Sequence, residues 1–158
     1  MHTPINNTCA QPRLYMLMLW LFIATAVAAL CSACASEQPS VTLNGSRYTV
    51  DIADTDAART RGLMFVDSMA DDHGMLFLFP DARPRSFWMK NTLIPLDIIY
   101  FDSDLRLVSV SRNARPCKTA RCGNYPSTGP AKYVLELNAG QADRLQLKPG
   151  DTLTLNLH

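Results

Sequence analysis

Apolar and polar positions alternate along this chain in short stretches, the spacing of half-buried β-strands rather than of long amphipathic helices. Residues 41–52 show it first, with Val41 and Leu43, then Asn44-Gly45, then Tyr48, Val50 and Ile52. Asn-Gly between two such runs predicts a hairpin, because both residues accept the positive φ of a two-residue turn. Asp54 or Thr55 is placed to cap a short helix through Arg61, and Gly62 to end it in a left-handed conformation. Short strands are then expected over 75–79 and 86–90, separated by a turn at Pro80-Asp81-Ala82-Arg83-Pro84. A second hairpin is expected over 95–101 and 105–111. Residues 113–130 hold three prolines, two glycines and two cysteines and read as a long loop. A strand over 132–137, a helical turn over 139–145, a turn at 148–151 and a last strand over 152–157 complete the pattern. Together these predict an all-β fold, a sandwich or barrel with two short helices, in a single compact domain over 41–158.

The first 34 residues follow a different pattern. A polar start with Arg13 leads into an apolar run over 14–30, then Ser32, Ala33 and Cys34. That layout reads as a signal peptide of the lipoprotein type over 1–33, cut before a Cys34 that receives lipid. Cys31 stands where a lipobox usually has leucine, so two rivals stay open. Cleavage after Ala35 would give a plain secreted protein, and retention of the 17-residue run would give an N-terminal anchor. Residues 34–40 read as a tether. The expectation is an exported protein on the periplasmic side of a bacterial envelope, held at the outer membrane by its lipid.

Without residues 1–33 the chain keeps 125 residues, with 14 basic and 14 acidic side chains. Such a balance gives no footprint for nucleic acid, which is not expected as a partner. Cys117 and Cys122 are the pair left in the loop, and an oxidising compartment predicts a disulfide between them.

Three segments are unusual in composition: Arg61-Gly62-Leu63-Met64, Gly74 to Phe79, and Phe87-Trp88-Met89-Lys90-Asn91-Thr92-Leu93-Ile94-Pro95-Leu96-Asp97-Ile98-Ile99-Tyr100. With Tyr133 to Gly140 and Lys148-Pro149-Gly150-Asp151, they resemble the domain-of-unknown-function family 192 (DUF192), small bacterial and archaeal proteins that are often exported. The resemblance covers residues 41–157. It implies a compact β-sandwich with short helices, and it implies no reaction.

Strand parity gives the candidate chemistry. Asp97 shares a face with Ile99 and Phe101, and Glu136 with Val134 and Asn138. If the two acids met across strands, they would form an acid–base pair for hydrolysis. Trp88 and Lys90 project from one face, with Met89 and Asn91 on the other, and an exposed tryptophan beside polar donors suits sugar stacking. Arg59, Arg61, Arg83 and Arg85 read as solvated or anion-binding. Met64, His73, Met75 and Met89 form a soft donor set for Cu(I), the one cofactor considered. No Gly-x-Ser-x-Gly and no phosphate-binding glycine loop occurs. These features favour non-catalytic binding of a small polar molecule, a glycan or an envelope protein at Trp88, Lys90, Asn91, Asp97 and Glu136. Copper binding and an Asp97/Glu136 hydrolase are the alternatives.

Overall fold

A computed structural model describes residues 37–119 and 121–157; the expected signal peptide 1–33 and the expected lipid acceptor Cys34 lie outside them. In chain order the described elements are β1 (Ser40–Leu43), β2 (Ser46–Ala53), α1 (Asp56–Arg61), β3 (His73–Trp88), β4 (Leu96–Phe101), β5 (Leu107–Ala114), β6 (Asn124–Asn138), α2 (Gln141–Arg144) and β7 (Leu153–Asn156).

The β1–β2 hairpin turns at Asn44 (φ 46°) and Gly45 (φ 78°), the positive pair that Asn-Gly supplies. Thr55 caps α1 by accepting the N–H of Ala58 at 3.2 Å. Gly62 closes the helix at φ 46° and ψ −138°, a positive φ as expected but outside the left-handed helical well. β4 and β5 form the expected second hairpin, where Asp102 Oδ1 accepts the N–H groups of Asp104 and Arg106.

All seven strands join one sheet in the order β5-β4-β6-β3-β2-β1-β7. Only the β2–β3 pair is parallel. A parallel pair needs a crossover, and residues 54–72 provide it, with α1 at its start. The sheet curls until β7 reaches the chain just before β5. Arg106 bridges Thr152, and Leu153 N–H donates to Leu105 at 2.9 Å. The expected sandwich or barrel is thus a curled, barrel-like sheet.

Both faces of this sheet are covered. One core takes residues from every strand, among them Val41, Val50, Leu76, Ile99, Leu107, Leu135 and Leu153, as only the interior of a curl does. Ala142, Leu145 and Leu147, on and after α2, plug that interior. A second core lies on the outer face over the central strands, with Phe77, Met89, Leu96, Ile98, Tyr100 and Val134 under Leu63. β4 is central to both, and all six of its residues are buried. At Gly74 an added Cβ would sit 2.6 Å from the carbonyl oxygen of Glu136, so only glycine lets β3 lie this close to β6.

Three expectations need correction. Residues 80–84 do not separate two strands: β3 runs on through them as a bulge, with Leu78 paired to Tyr133 and Arg83 to Ala131. Arg85 holds the bulge by donating to the Ala131 carbonyl and to Asp81. The loop expected over 113–130 is also too long. Its second half is the start of β6, paired with β3 from Trp88–Asn124 to Pro84–Pro130. Pro126 and Pro130 fit because this half lies beyond the register with β4, where a missing N–H breaks no ladder. Ser40, read as tether, is the buried first residue of β1.

Candidate functional site

The outer core opens beside the end of α1. The end of α1, the turn after it, the end of β3 and the segment following β3 enclose a cavity of about 30 Å³, with Glu136 of β6 in its wall. That is room for one or two water-sized groups. Phe77 and Phe87, packed edge to face at 4.9 Å, form an aromatic side. Trp88 and Lys90 stand at the mouth, with the Lys90 Nζ 5.2 Å from the indole centroid. Trp88 is 47% exposed, so it is rim rather than core. Two open hollows of about 320 and 250 Å³ flank the cavity and share residues with it.

Glu136 is the unusual group. The residue is only 4% exposed, and its carboxyl makes no hydrogen bond or ion pair with any described residue. No sealed side-chain oxygen or nitrogen among the described residues lacks a partner, so the Glu136 carboxyl oxygens border the cavity. Burial pushes this carboxyl up to about 8, because desolvation penalises its charged form. Its neighbour Tyr100 is raised for the same reason, and the Glu136 charge adds to it. At neutral pH the site therefore holds a protonated acid that can both donate and accept.

The arginines divide. Arg59 is committed to the scaffold, donating to the carbonyls of Asp54 and Leu78 and pairing with Asp56, all at 2.6 Å. Its guanidinium and that of Arg85 both stack on Phe79. Arg83 pairs with Asp81. The solvated reading thus fails for Arg59 and Arg85. The Arg61 side chain, exposed at the cavity lip, makes no hydrogen bond or ion pair with a described residue.

The chain next to the lining residues Met64, Lys90 and Thr92 is strained. Phe65 and Asn91 both have positive φ, 65° and 57°, and the Phe65 N–H donates to the Asn91 carbonyl at 2.8 Å. Asparagine tolerates this conformation; a phenylalanine there is an outlier. Phe65 is also 65% exposed. An aromatic held against its backbone preference and turned to solvent is a mark of function more than of folding. Behind the mouth, Cys117 and Cys122 form the expected disulfide. The Cys117 backbone clamps the segment by accepting from Asn91 and donating to Met89.

Of the residues singled out from sequence, Trp88, Lys90 and Glu136 meet at the cavity. Asp97 and Asn91 do not line it. Asp97, 1% exposed, faces the inner core, where its oxygens accept the N–H groups of Asn113 and Ala142, each at 2.8 Å. It braces α2 and the end of β5 rather than contacting a ligand. Asn91 acts through its backbone. The hydrolytic acid pair is also corrected. Ile98 is the partner of Glu136 and Leu137 that of Asp97, so the two carboxyls point to opposite faces of the sheet. The copper set is not presented as open ligands. Met89 is sealed in the outer core, and His73 is engaged by Thr49 at 2.8 Å and Asp51 at 3.4 Å; Met64 and Met75 do share a hollow. Sequence reasoning missed Gly62, Phe77, Phe87 and Thr92 as lining residues and gave Arg61 no special place. A signal was available, since the cavity is built where the four segments around residues 61–64, 74–79, 87–100 and 133–140 come together.

Comparison with known proteins gives the family and agrees with the fold. The family model DUF192, described as an uncharacterized ACR, matches residues 39–155. A UPF0127 protein of Thermococcus sibiricus is 33% identical over 106 residues, 66% of this chain. The match spans 64% of that relative's length. A crystal structure from Sinorhizobium meliloti, provisionally labelled a transcription regulator, superposes with a TM-score of 0.67 at 39% identity, covering 74% of this chain and 91% of that one. A protein of unknown function from Novosphingobium aromaticivorans gives 0.67 at 37%, covering 76% and 88%.

Proposed function

This chain belongs to the DUF192 family, and from that premise we propose that it is a non-catalytic binding domain whose cavity takes a small polar ligand at Glu136. One observation carries the reading: a buried carboxyl with no partner among the described residues borders a cavity with an aromatic side. A polar group buried without a partner costs folding free energy. A binding site is where that cost has a use, because a ligand donor supplies the missing partner. Trp88 offers exposed aromatic surface at the cavity mouth for the ligand body. Glu136 is the single carboxyl in the cavity wall among the described residues, which supports binding over acid–base hydrolysis.

The proposal places this domain at the cell envelope, on the strength of residues 14–34 alone. Replacing the lipid acceptor, Cys34→Ser, is expected to move the protein from the membrane fraction to the soluble one. An unchanged distribution would contradict lipid anchoring. For the cavity, a screen of small polar metabolites is expected to find saturable stabilisation of the wild type that Glu136→Gln lacks, with the ligand recovered unaltered. Ligands that stabilise the glutamine variant equally, or that are consumed, would overturn the reading.

A further inference from the structure

The cavity and its mouth carry opposite electrostatic demands. Inside, Glu136 lacks a donor or cation. Outside, Arg61 and Lys90 lack an anion among the described residues, since Lys90 meets only the Trp88 ring. Arg59 adds no free charge, being paired with Asp56. A simple amine would satisfy Glu136 but pass a positive mouth to reach it. A simple anion would satisfy the mouth and leave Glu136 unpartnered. One molecule with both charges answers both demands.

Size sharpens the choice. About 30 Å³ admits one or two water-sized groups. A primary ammonium is about that size and presents three N–H donors. A trimethylammonium head is several times larger and presents none. Phe77 and Phe87 give the ammonium an aromatic wall as well.

Resting on the reading of the cavity as a ligand site, we propose that its ligand is a zwitterion: a primary ammonium seated against Glu136, joined by a short linker to an anionic group that meets Arg61 and Lys90 at the mouth. A free metabolite and a lipid headgroup both offer this chemistry.

Binding then moves a proton. The groups facing Glu136 are Tyr100 from β4, Arg59 and Arg61 from α1, and Lys90 from the segment after β3. Burial raises the Tyr100 hydroxyl further from neutrality, and the exchange falls on Glu136, which is protonated below about 8. An arriving ammonium favours the carboxylate, and the carboxyl proton leaves to solvent.

Calorimetric titration of the full chain with two matched pairs tests this: O-phosphoethanolamine against O-phosphocholine, and glycine against glycine betaine. At least one primary ammonium is expected to bind tenfold or more tighter than its trimethylated partner. Its binding should tighten roughly eightfold from pH 7 to pH 8.5 and release nearly one proton at pH 7, read from buffers of different ionisation heat. Glu136→Gln should abolish the proton release and weaken binding at least tenfold. Equal binding of the trimethylated partners, or binding without proton release, overturns the inference. If no primary ammonium binds while the metabolite screen yields another Glu136-dependent ligand, this inference falls and the binding reading stands. If no ligand depends on Glu136, both fall. Co-sedimentation with vesicles containing phosphatidylethanolamine, but not with phosphatidylcholine vesicles, supports the headgroup source. Binding of the free zwitterion without co-sedimentation supports the soluble one.

Discussion

Glu136→Gln is expected to melt about 10 °C higher than the wild type at pH 8 and within a degree or two of it at pH 4. In the unfolded chain Glu136 ionises near 4.5, whereas in the fold it stays protonated to about 8. Between those values the folded state binds one proton more than the unfolded state. Stability therefore falls as pH rises, by about 1.4 kcal/mol per unit, and this group adds no slope outside the window. By pH 7 the loss is on the order of 3 kcal/mol. Glutamine keeps the shape and a hydrogen-bonding end, and it does not titrate, so it removes the loss. All other acids titrate alike in both proteins and cancel in the comparison. Thermal melts of the two chains at pH 4, 6 and 8 measure the divergence. Parallel curves would mean that the Glu136 carboxyl is paired or wet.

Asp97→Ala should act in the opposite direction, costing about 4 kcal/mol in denaturant unfolding. Its two oxygens serve the backbone N–H groups of Asn113 and Ala142, and truncation strands both. Each stranded buried donor costs about 1–3 kcal/mol. Asp97→Asn keeps one acceptor but turns an NH2 toward the other N–H, so about half the loss is expected. Ligand binding by the folded fraction should be unchanged, because Asp97 faces the inner core and the cavity lies on the other side of the sheet. A wild-type midpoint for Asp97→Ala would contradict the brace. Two buried acids thus part company: one supports the fold and the other weighs on it.

Local pattern revealed much of this architecture. The Asn44-Gly45 hairpin, the Thr55 cap and the β4–β5 hairpin depend on neighbours in sequence, and alternation is enough to find them. The lengths of β3 and β6 were not legible. Pro80, Pro84, Pro126 and Pro130 read as breakers, and only the partner strand shows that they sit at a bulge or beyond a ladder. Face parity was also readable for Asp97 and for Glu136 separately. Whether they meet depends on the register of β4 against β6, which alternation within one strand does not specify. Trp88, Lys90 and Glu136 were legible as site residues by type. Asp97 and Asn91 were not separable from them, because type does not say which way a buried acid points or that an asparagine is chosen for its backbone. Arg61 was grouped with three other arginines, and only tertiary contacts distinguish the one left free.

Carbon-13 NMR of the Glu136 side chain across pH reads the state of this carboxyl directly. A midpoint near 8 in the free protein, with the resonance assigned through its loss in Glu136→Gln, is the result the cavity predicts. A midpoint near 4.5 would show a carboxylate already satisfied by protein or solvent, and the case for a ligand at Glu136 would go with it.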